Sequence, residues 1–154
     1  MALTKDIKTD RYGTPDQAPP MMAQPMDTNV KVYGGSIAIT RSGYVNPASS
    51  PQSTDVAWGV VSQQTDNTTG SFFGGAQAAV QCPIDRGSFW LSFASGITQA
   101  DVDALADVVD EQTVSKTAGS LPICGTILAV DTVLSKVAVA IGVVNKGAAA
   151  ASSL

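Results

Sequence analysis

Short β-type segments, separated by clusters of turn-forming residues, occupy most of this chain from Val30 onward. The segments are rich in valine, isoleucine, threonine and aromatic residues, and the clusters between them contain glycine, proline, asparagine and aspartate. Turn signals recur about every 8–12 residues, a spacing typical of β-sandwiches and barrels. The sequence therefore predicts an all-β fold: a compact β-sandwich or barrel of short antiparallel strands, with one short helix and an extended N-terminal arm.

The predicted strands follow the alternation of large apolar residues with polar or small ones. They are "VKVY", "SIAIT", "YVNP", "VAWGVVSQQ", "AQAAVQC", "SFWLSFA", "GTILAVDT" and "SKVAVAIGVV". The predicted turns include the glycine pair after "VKVY", then "RSG", "TDNTTG" and "PIDRG", and Asp131 to Ser135 connects the last two strands. A helix of about two turns is predicted in "SGITQADVDALAD", with Thr98 as its N-cap and Asp101 three residues further on.

Residues 1–29 are predicted to form an extended arm. Four prolines lie between Gly13 and Asn29, and proline fixes φ and removes an amide donor, so neither a helix interior nor a central strand fits. The adaptable methionines favour a strap that becomes ordered on a partner over a floppy tail. The candidate contacts of the arm are Leu3, Tyr12, Met21, Met22 and Met26. Residues 30–146 form the predicted β-rich domain, and residues 147–154 a flexible tail.

The composition limits the classes of partner. Charged residues make up 14% of the 154 residues, against a usual share of about 25%. This indicates an exterior largely covered by partners, although a surface of Ser, Thr and Gln would also explain it. The net charge of −4 and the scattered basic residues argue against nucleic acids and anionic membranes as partners. With no histidine and no phosphate-binding motif in the sequence, we predict no metal and no cofactor.

The two cysteines, Cys82 and Cys124, form neither a CxxC pair nor a zinc pattern. We expect two buried thiols that behave as small hydrophobes; a disulfide is the alternative that spacing alone does not decide. The stretch "MALTKDIKTDRYG" lacks the apolar region of a signal peptide, and the longest apolar stretch is interrupted by Asp131 and Lys136. We therefore expect a protein that is assembled in the cytoplasm and has no membrane span.

The stretch "DVVDEQTVSKTAG" (Asp107 to Gly119) places two carboxylates side by side, and then a serine beside a lysine. Paired carboxylates can serve acid–base chemistry, and serine with lysine can be a nucleophile and its base. Adjacent residues of a strand point to opposite faces, however, and at a hairpin tip both carboxylates would be solvated. The sequence therefore predicts a β-hairpin with the charged loop "DEQ", and no enzymatic activity at Ser115 and Lys116.

Five segments carry a resemblance to a known family. They are "MALTKD", "VKVYGGSIAITRSGYVNPAS", "GVVSQQTDNTTG", "VQCPIDRGSFWLSFA" and "VVDEQTVSKTAG". In order and spacing, and with the strand Gly125 to Val130 that follows, they resemble the small capsid decoration, or cement, proteins of tailed bacteriophages. The resemblance covers residues 1–6 and 30–141. The chain departs from the family pattern in its longer arm, in "ADVDALAD" and in the C-terminal "NKGAAAASSL".

The resemblance implies a structural, non-catalytic virion protein on the outer surface of the capsid, which binds the major capsid protein and stabilises the expanded shell. We expect a homo-oligomer, trimer before dimer, because linked arms bind as one multivalent unit. The candidate subunit or capsid contacts of the body are Phe72, Phe73 and Trp90. The alternative is a non-catalytic carbohydrate- or surface-binding β-sandwich module. It needs an exposed row of aromatic residues, for which the candidates are Phe72, Phe73, Phe89, Trp90 and Phe93.

Overall fold

A computed structural model describes residues 2–13, 21–94, 96–116 and 119–144. Its strands, in chain order, are β1 (Met21–Pro25), β2 (Lys31–Val32), β3 (Ile37–Arg41), β4 (Tyr44–Pro47), β5 (Val56–Val61), β6 (Thr65–Asp66), β7 (Gln81–Asp85), β8 (Ser88–Phe93), β9 (Leu105–Val108), β10 (Thr113–Lys116), β11 (Ile123–Asp131) and β12 (Lys136–Ile141). Within these ranges the helical structure is one 3₁₀ turn, Gln99–Asp101, so no described helix is long and apolar enough to cross a membrane. The predicted all-β class is confirmed.

The strands form an open sheet and a closed barrel, so of the two predicted architectures the barrel is the one that occurs. The sheet has the order β1-β7-β5-β3-β4, and the barrel has the order β10-β8-β12-β11-β9. A short pair, β2 with β6, lies outside both. Neighbouring strands are antiparallel except β10 and β8, whose parallel pairing closes the barrel. A bridge between Met26 and Val45 also brings the two edges of the sheet towards each other.

Two apolar cores hold these layers together. The barrel core combines residues from inside the barrel, such as Phe89 and Val137, with Ile37 and Ile39 from one face of the sheet. The sheet core lies on the other face, which Ala38 of the same strand enters. Since successive side chains of a strand point to opposite faces, β3 is buried on both sides and joins the two cores.

Two predicted hairpins are confirmed, and local chemistry explains both. Ser42 and Gly43 connect β3 to β4 with φ values of 53° and 88°, and left-handed φ at both central residues is what a two-residue hairpin turn requires. Asp131 opens the turn between β11 and β12, where its Oδ1 accepts hydrogen bonds from the amides of Val133 and Leu134, both at 3.0 Å. Such an aspartate stabilises a turn without help from distant residues.

Three local predictions were wrong. Residues 76–80 of "AQAAVQC" form turns and bends, and the strand begins only at Gln81. The "PIDRG" turn was predicted to begin at Pro83, but Pro83 lies inside β7. The pairing of β7 with β5 begins one residue later, at Ile84. Proline is tolerated there because the ladder on that side does not need its missing amide. The predicted two-turn helix is a single 3₁₀ turn, because the chain enters β9 at Leu105.

The N-terminal arm is not separate from the body where the structure describes it. β1 pairs with β7 along its whole length, and Met26 is fully buried in the sheet core. The predicted boundary at residue 29 therefore falls inside folded structure. Pro25 fits because it ends β1, an edge strand of the sheet. Residues 14–20 of the arm and the predicted tail, residues 147–154, lie outside the described residues.

Candidate functional site

Residues 2–13, here called the N-terminal segment, lie in an extended conformation against the body. The Trp90 amide donates a hydrogen bond to the carbonyl of Asp10 (2.9 Å), and the Tyr12 amide donates one to the carbonyl of Ser88 (2.8 Å). β10 pairs with β8 only at Ser92 and beyond, so the segment covers the part of the β8 edge that β10 leaves open. Covering an edge in this way prevents unwanted pairing with other strands.

The same segment is also fixed at the turn before β3. The Ile7 amide donates to the Gly34 carbonyl (2.8 Å), and the Gly34 amide donates to Asp6 Oδ1 (2.8 Å). Gly35 has φ of +86°, and a Cβ added to it would collide with the Ile7 carbonyl. Glycine is therefore required at position 35 for the close approach of the segment as well as for the backbone conformation.

The "DEQ" loop forms the predicted hairpin between β9 and β10, but one of its two carboxylates is not solvated. Glu111 is only 3% exposed, and it accepts a hydrogen bond from the Leu3 amide. Burial raises the pKa of Glu111 above its usual range, and this outweighs the hydrogen bond, which lowers it. The prediction of a solvated tip was therefore wrong for Glu111, because the N-terminal segment covers it.

The serine–lysine pair has strand geometry. The Ser115 hydroxyl donates to the Lys116 carbonyl (3.2 Å), and the Lys116 ammonium forms a salt bridge with Asp101 (3.3 Å). The lysine that a Ser–Lys dyad would need is thus engaged with a carboxylate. Among the described residues, no group of three or more acidic or cysteine side chains is placed to hold a metal ion.

A first exposed apolar surface, here called the tip surface, consists of Tyr12, Trp90, Val133 and Leu134. Val133 and Leu134 lie in the turn between β11 and β12 and are 89% and 68% exposed. Leu134 and Trp90 line the same depression of about 340 Å³, and Tyr12 packs edge-on against Trp90 with ring centroids 5.5 Å apart. The depression is bordered by charged side chains, namely those of Lys8, Asp10, Arg11, Asp131 and Lys136.

A second exposed surface is the phenylalanine loop, residues 67–80 between β6 and β7. Phe72 and Phe73 are 92% and 75% exposed and contact each other edge to face, with ring centroids 4.5 Å apart. The loop is anchored by Asn67, which is fully buried and donates from its side-chain amide to the Asp27 carbonyl at 2.7 Å. The loop thus presents two aromatic rings to solvent from a fixed base.

A third feature is the barrel-end cavity, of about 400 Å³, at the end of the barrel where β9 ends and β11 begins. Most of its wall is apolar and includes Val56, Ala57, Leu121, Ile123, Cys124 and Val144. Its charged residues are Asp55, which is ion-paired with Arg41 at 2.8 Å, and the fully buried Asp107.

The two cysteines are free and buried, as expected, and they lie in different cores. Burial raises the pKa of Cys82 to about 11. Burial, and then the charge of Asp107, raises the pKa of Cys124 to about 12. Since the thiolate is the reactive form, neither thiol has the character of a nucleophile at neutral pH.

The predicted contact residues are scattered over the molecule. In the arm, Leu3 and Met22 are half-buried against the body, Tyr12 belongs to the tip surface, and Met21 is 62% exposed on β1. Met26 cannot contact a partner in this fold, because it is fully buried, and this prediction is corrected.

In the body, Phe72 and Phe73 are exposed, whereas Trp90 packs against Tyr12. The other two aromatic residues expected in an exposed row are buried or half-buried, Phe89 in the barrel core and Phe93 against it. Sequence reasoning missed Val133 and Leu134, although two large apolar residues inside a predicted turn were a usable signal.

Comparisons with known proteins give no match: no family model, no curated protein and no solved structure matches this chain. The resemblance to the phage decoration proteins therefore stays a prediction, and a functional proposal depends on the surfaces described above.

Proposed function

We propose that this chain is a structural protein of a tailed-phage virion, which decorates the outer surface of the head, binds the major capsid protein and stabilises the expanded shell. Its exposed apolar surfaces support a binding role. The tip surface is the observation that carries the proposal, and the sequence resemblance supports it.

The tip surface has the composition of a protein-binding site. Trp90 and Leu134 line the depression together with five charged side chains, and binding hot spots commonly combine apolar anchors with charged neighbours. Val133 and Leu134 stand on a tight turn that Asp131 stabilises, so little conformational entropy is lost when they are buried. A capsid subunit with a complementary apolar groove is the partner that we assign to this surface.

The N-terminal segment contributes to the same surface. It was predicted to order on the capsid; in this fold it is already ordered on its own body, and it presents Tyr12 beside Trp90. Such pre-organisation favours binding, because an arm that orders only on the capsid would lose about 1–2 kcal/mol of backbone entropy per residue. The proposed role of the segment is therefore to complete the tip surface.

Co-sedimentation with heads tests the proposal. The purified chain is mixed with expanded, DNA-emptied heads of the phage that encodes it, and bound copies per particle are counted. We expect saturable binding in a fixed ratio to the major capsid subunit. The double substitution Val133→Ser with Leu134→Ser should weaken binding by a factor of about 30 or more, as expected for hot-spot residues.

The control is Val143→Ser, which removes an exposed apolar side chain beyond the end of β12, at the opposite end of that strand from the turn. This variant should bind heads like the unmodified chain. No binding of the unmodified chain to any form of the head would exclude the decoration role. A titration with glycans, followed by tryptophan fluorescence, would then examine the alternative of a sugar-binding module.

A further inference from the structure

The phenylalanine loop exposes two aromatic rings, and the barrel-end cavity has a mostly apolar wall. We propose that Phe72 and Phe73 of one copy insert into the barrel-end cavity of a second copy. The resulting head-to-tail contact joins copies of this chain into an oligomer. The inference depends on the proposed function only for the expectation that copies associate, and it adds the interface through which they do so.

The loop is suited to insertion because its rings are already exposed and its base is already fixed. Phe72 and Phe73 are 92% and 75% exposed, which is unusual for two adjacent large aromatic side chains. Asn67 holds the base of the loop through hydrogen bonds to Asp27 and Ala76, so ordering it costs little further entropy. Residues 67–80 contain no charged residue, so insertion buries no charge of the loop itself.

The cavity is suited to receive two aromatic rings. An apolar cavity of about 150 Å³ is large enough for one benzene molecule, so two rings need on the order of 300 Å³. The cavity has about 400 Å³ and a mostly apolar wall, in which the charged residues are Asp55 and Asp107. Val56 and Ile123 at its wall are 49% and 43% exposed, and an inserted ring would cover them.

The loop and the cavity are separate features of one copy in this fold. Val56, at the start of β5, lines the cavity, whereas the phenylalanine loop follows the far end of the same strand. The five residue steps from Val56 to Val61 span roughly 17 Å at about 3.3 Å per residue. Neither phenylalanine lines the cavity of its own copy, and both rings face solvent, so the proposed contact is made between copies.

A contact between two different surface patches is heterologous, and on repetition it closes into a ring or continues as a filament. A closed ring agrees with the expected trimer. The ring would bury two of the exposed apolar regions of every copy and leave the tip surface free for the capsid.

Sedimentation velocity of the purified chain, without heads, tests the inference over about 1–100 µM. The unmodified chain should associate. The loop variant, Phe72→Ser with Phe73→Ser, should associate about 30-fold or more weakly, as expected for a hot spot. The cavity variant, Val56→Asp with Ile123→Asp, should do the same. The control variant, Val133→Ser with Leu134→Ser, loses similarly exposed apolar side chains and should associate normally.

Mixing separates a heterologous contact from a symmetric one. The loop variant keeps its cavity and the cavity variant keeps its loop, so an equimolar mixture should form a 1:1 dimer although each variant alone is monomeric. If Phe72 and Phe73 instead stacked on the same residues of a second copy, the cavity variant would still dimerise alone. That result would overturn the inference.

Cross-linking keeps the test valid if a cavity variant fails to fold. Phe73→Cys in one preparation and Ile123→Cys in another should form an intermolecular disulfide when mixed under mild oxidation. The unmodified chain should not, because its two cysteines are buried. Failure to cross-link would overturn the inference.

A monomeric unmodified chain at 100 µM would overturn the inference as well. The cavity would then have another occupant, such as residues 145–154 or, on the virion, a capsid subunit. A monomer that still decorates heads would count against this inference alone. An oligomer that never binds heads would count against the proposed function alone.

Discussion

Truncation of Met26 distinguishes an arm that belongs to the fold from one that serves only a partner. Met26 is fully buried in the sheet core, and its amide donates a hydrogen bond to the Val80 carbonyl at 3.0 Å. Met26→Ala keeps that backbone hydrogen bond and removes three buried heavy atoms. At about 0.8 kcal/mol for each methylene-sized group, the lost transfer free energy is roughly 2.4 kcal/mol.

The cavity left behind adds to this loss, so we expect the free energy of unfolding to fall by about 3 kcal/mol, within the range of about 2–5 kcal/mol for Met→Ala in cores. The matched control is Met21→Ala in the same arm. Met21 is 62% exposed, so its truncation should change the free energy of unfolding by less than about 0.5 kcal/mol.

Urea unfolding followed by tryptophan fluorescence measures both variants, and Trp58, which packs against the sheet core, is a suitable reporter. Equal stability of the two variants would refute the assignment of Met26 to the core and restore a detached arm.

The same reasoning predicts the effect of deletions in the arm. Removal of residues 1–13 should leave a folded body, whereas removal of residues 1–29 takes away β1 and Met26 and should prevent stable folding.

Further predictions concern the N-terminal segment, the buried carboxylate and the thiols. Gly35→Ala should detach residues 2–13, seen as faster amide exchange; Gly43→Ala, with a similar φ of +88° but open space around it, should not. Burial raises the pKa of Glu111, so the stability it gives is complete below its ordinary pKa of 4.5 and is lost as pH rises through the folded-state pKa. Glu111→Gln should remove that loss, and an unchanged pH profile of the unfolding free energy would contradict it. Both cysteines should react with a thiol reagent only as fast as the protein unfolds, and rapid labelling of the native protein would contradict their burial.

The parts of the fold that depend on neighbouring residues were predictable from the sequence. The turns at Ser42-Gly43 and at Asp131 are determined by the residues that form them, and both hairpins were predicted at the correct place. The strand predicted in "AQAAVQC" failed because alternating alanine and glutamine carries little strand preference, and residues 76–80 belong to the anchored phenylalanine loop.

The parts that depend on distant residues were not predictable. Glu111 was expected in solvent because its neighbours in sequence are polar, yet Leu3, 108 residues away, covers it. The parallel pairing of β8 with β10 joins strands separated by the 3₁₀ turn and β9, and no local pattern indicates it. For the tip surface, Tyr12 and Trp90 were both predicted to contact a partner, but the sequence gave no indication that the two rings contact each other.

The position of the N-terminal segment has a consequence for biosynthesis. Residues 2–13 leave the ribosome first, but one of their binding partners, Glu111, is added 108 residues after Leu3. The contacts of residues 6–9 with the turn before β3 can form early, but those with β8 and with Glu111 can form only after these parts have been synthesised. Until the contacts with β8 form, the open edge of β8 is exposed to other nascent chains, and the time needed to complete synthesis limits how soon a copy is ready for assembly.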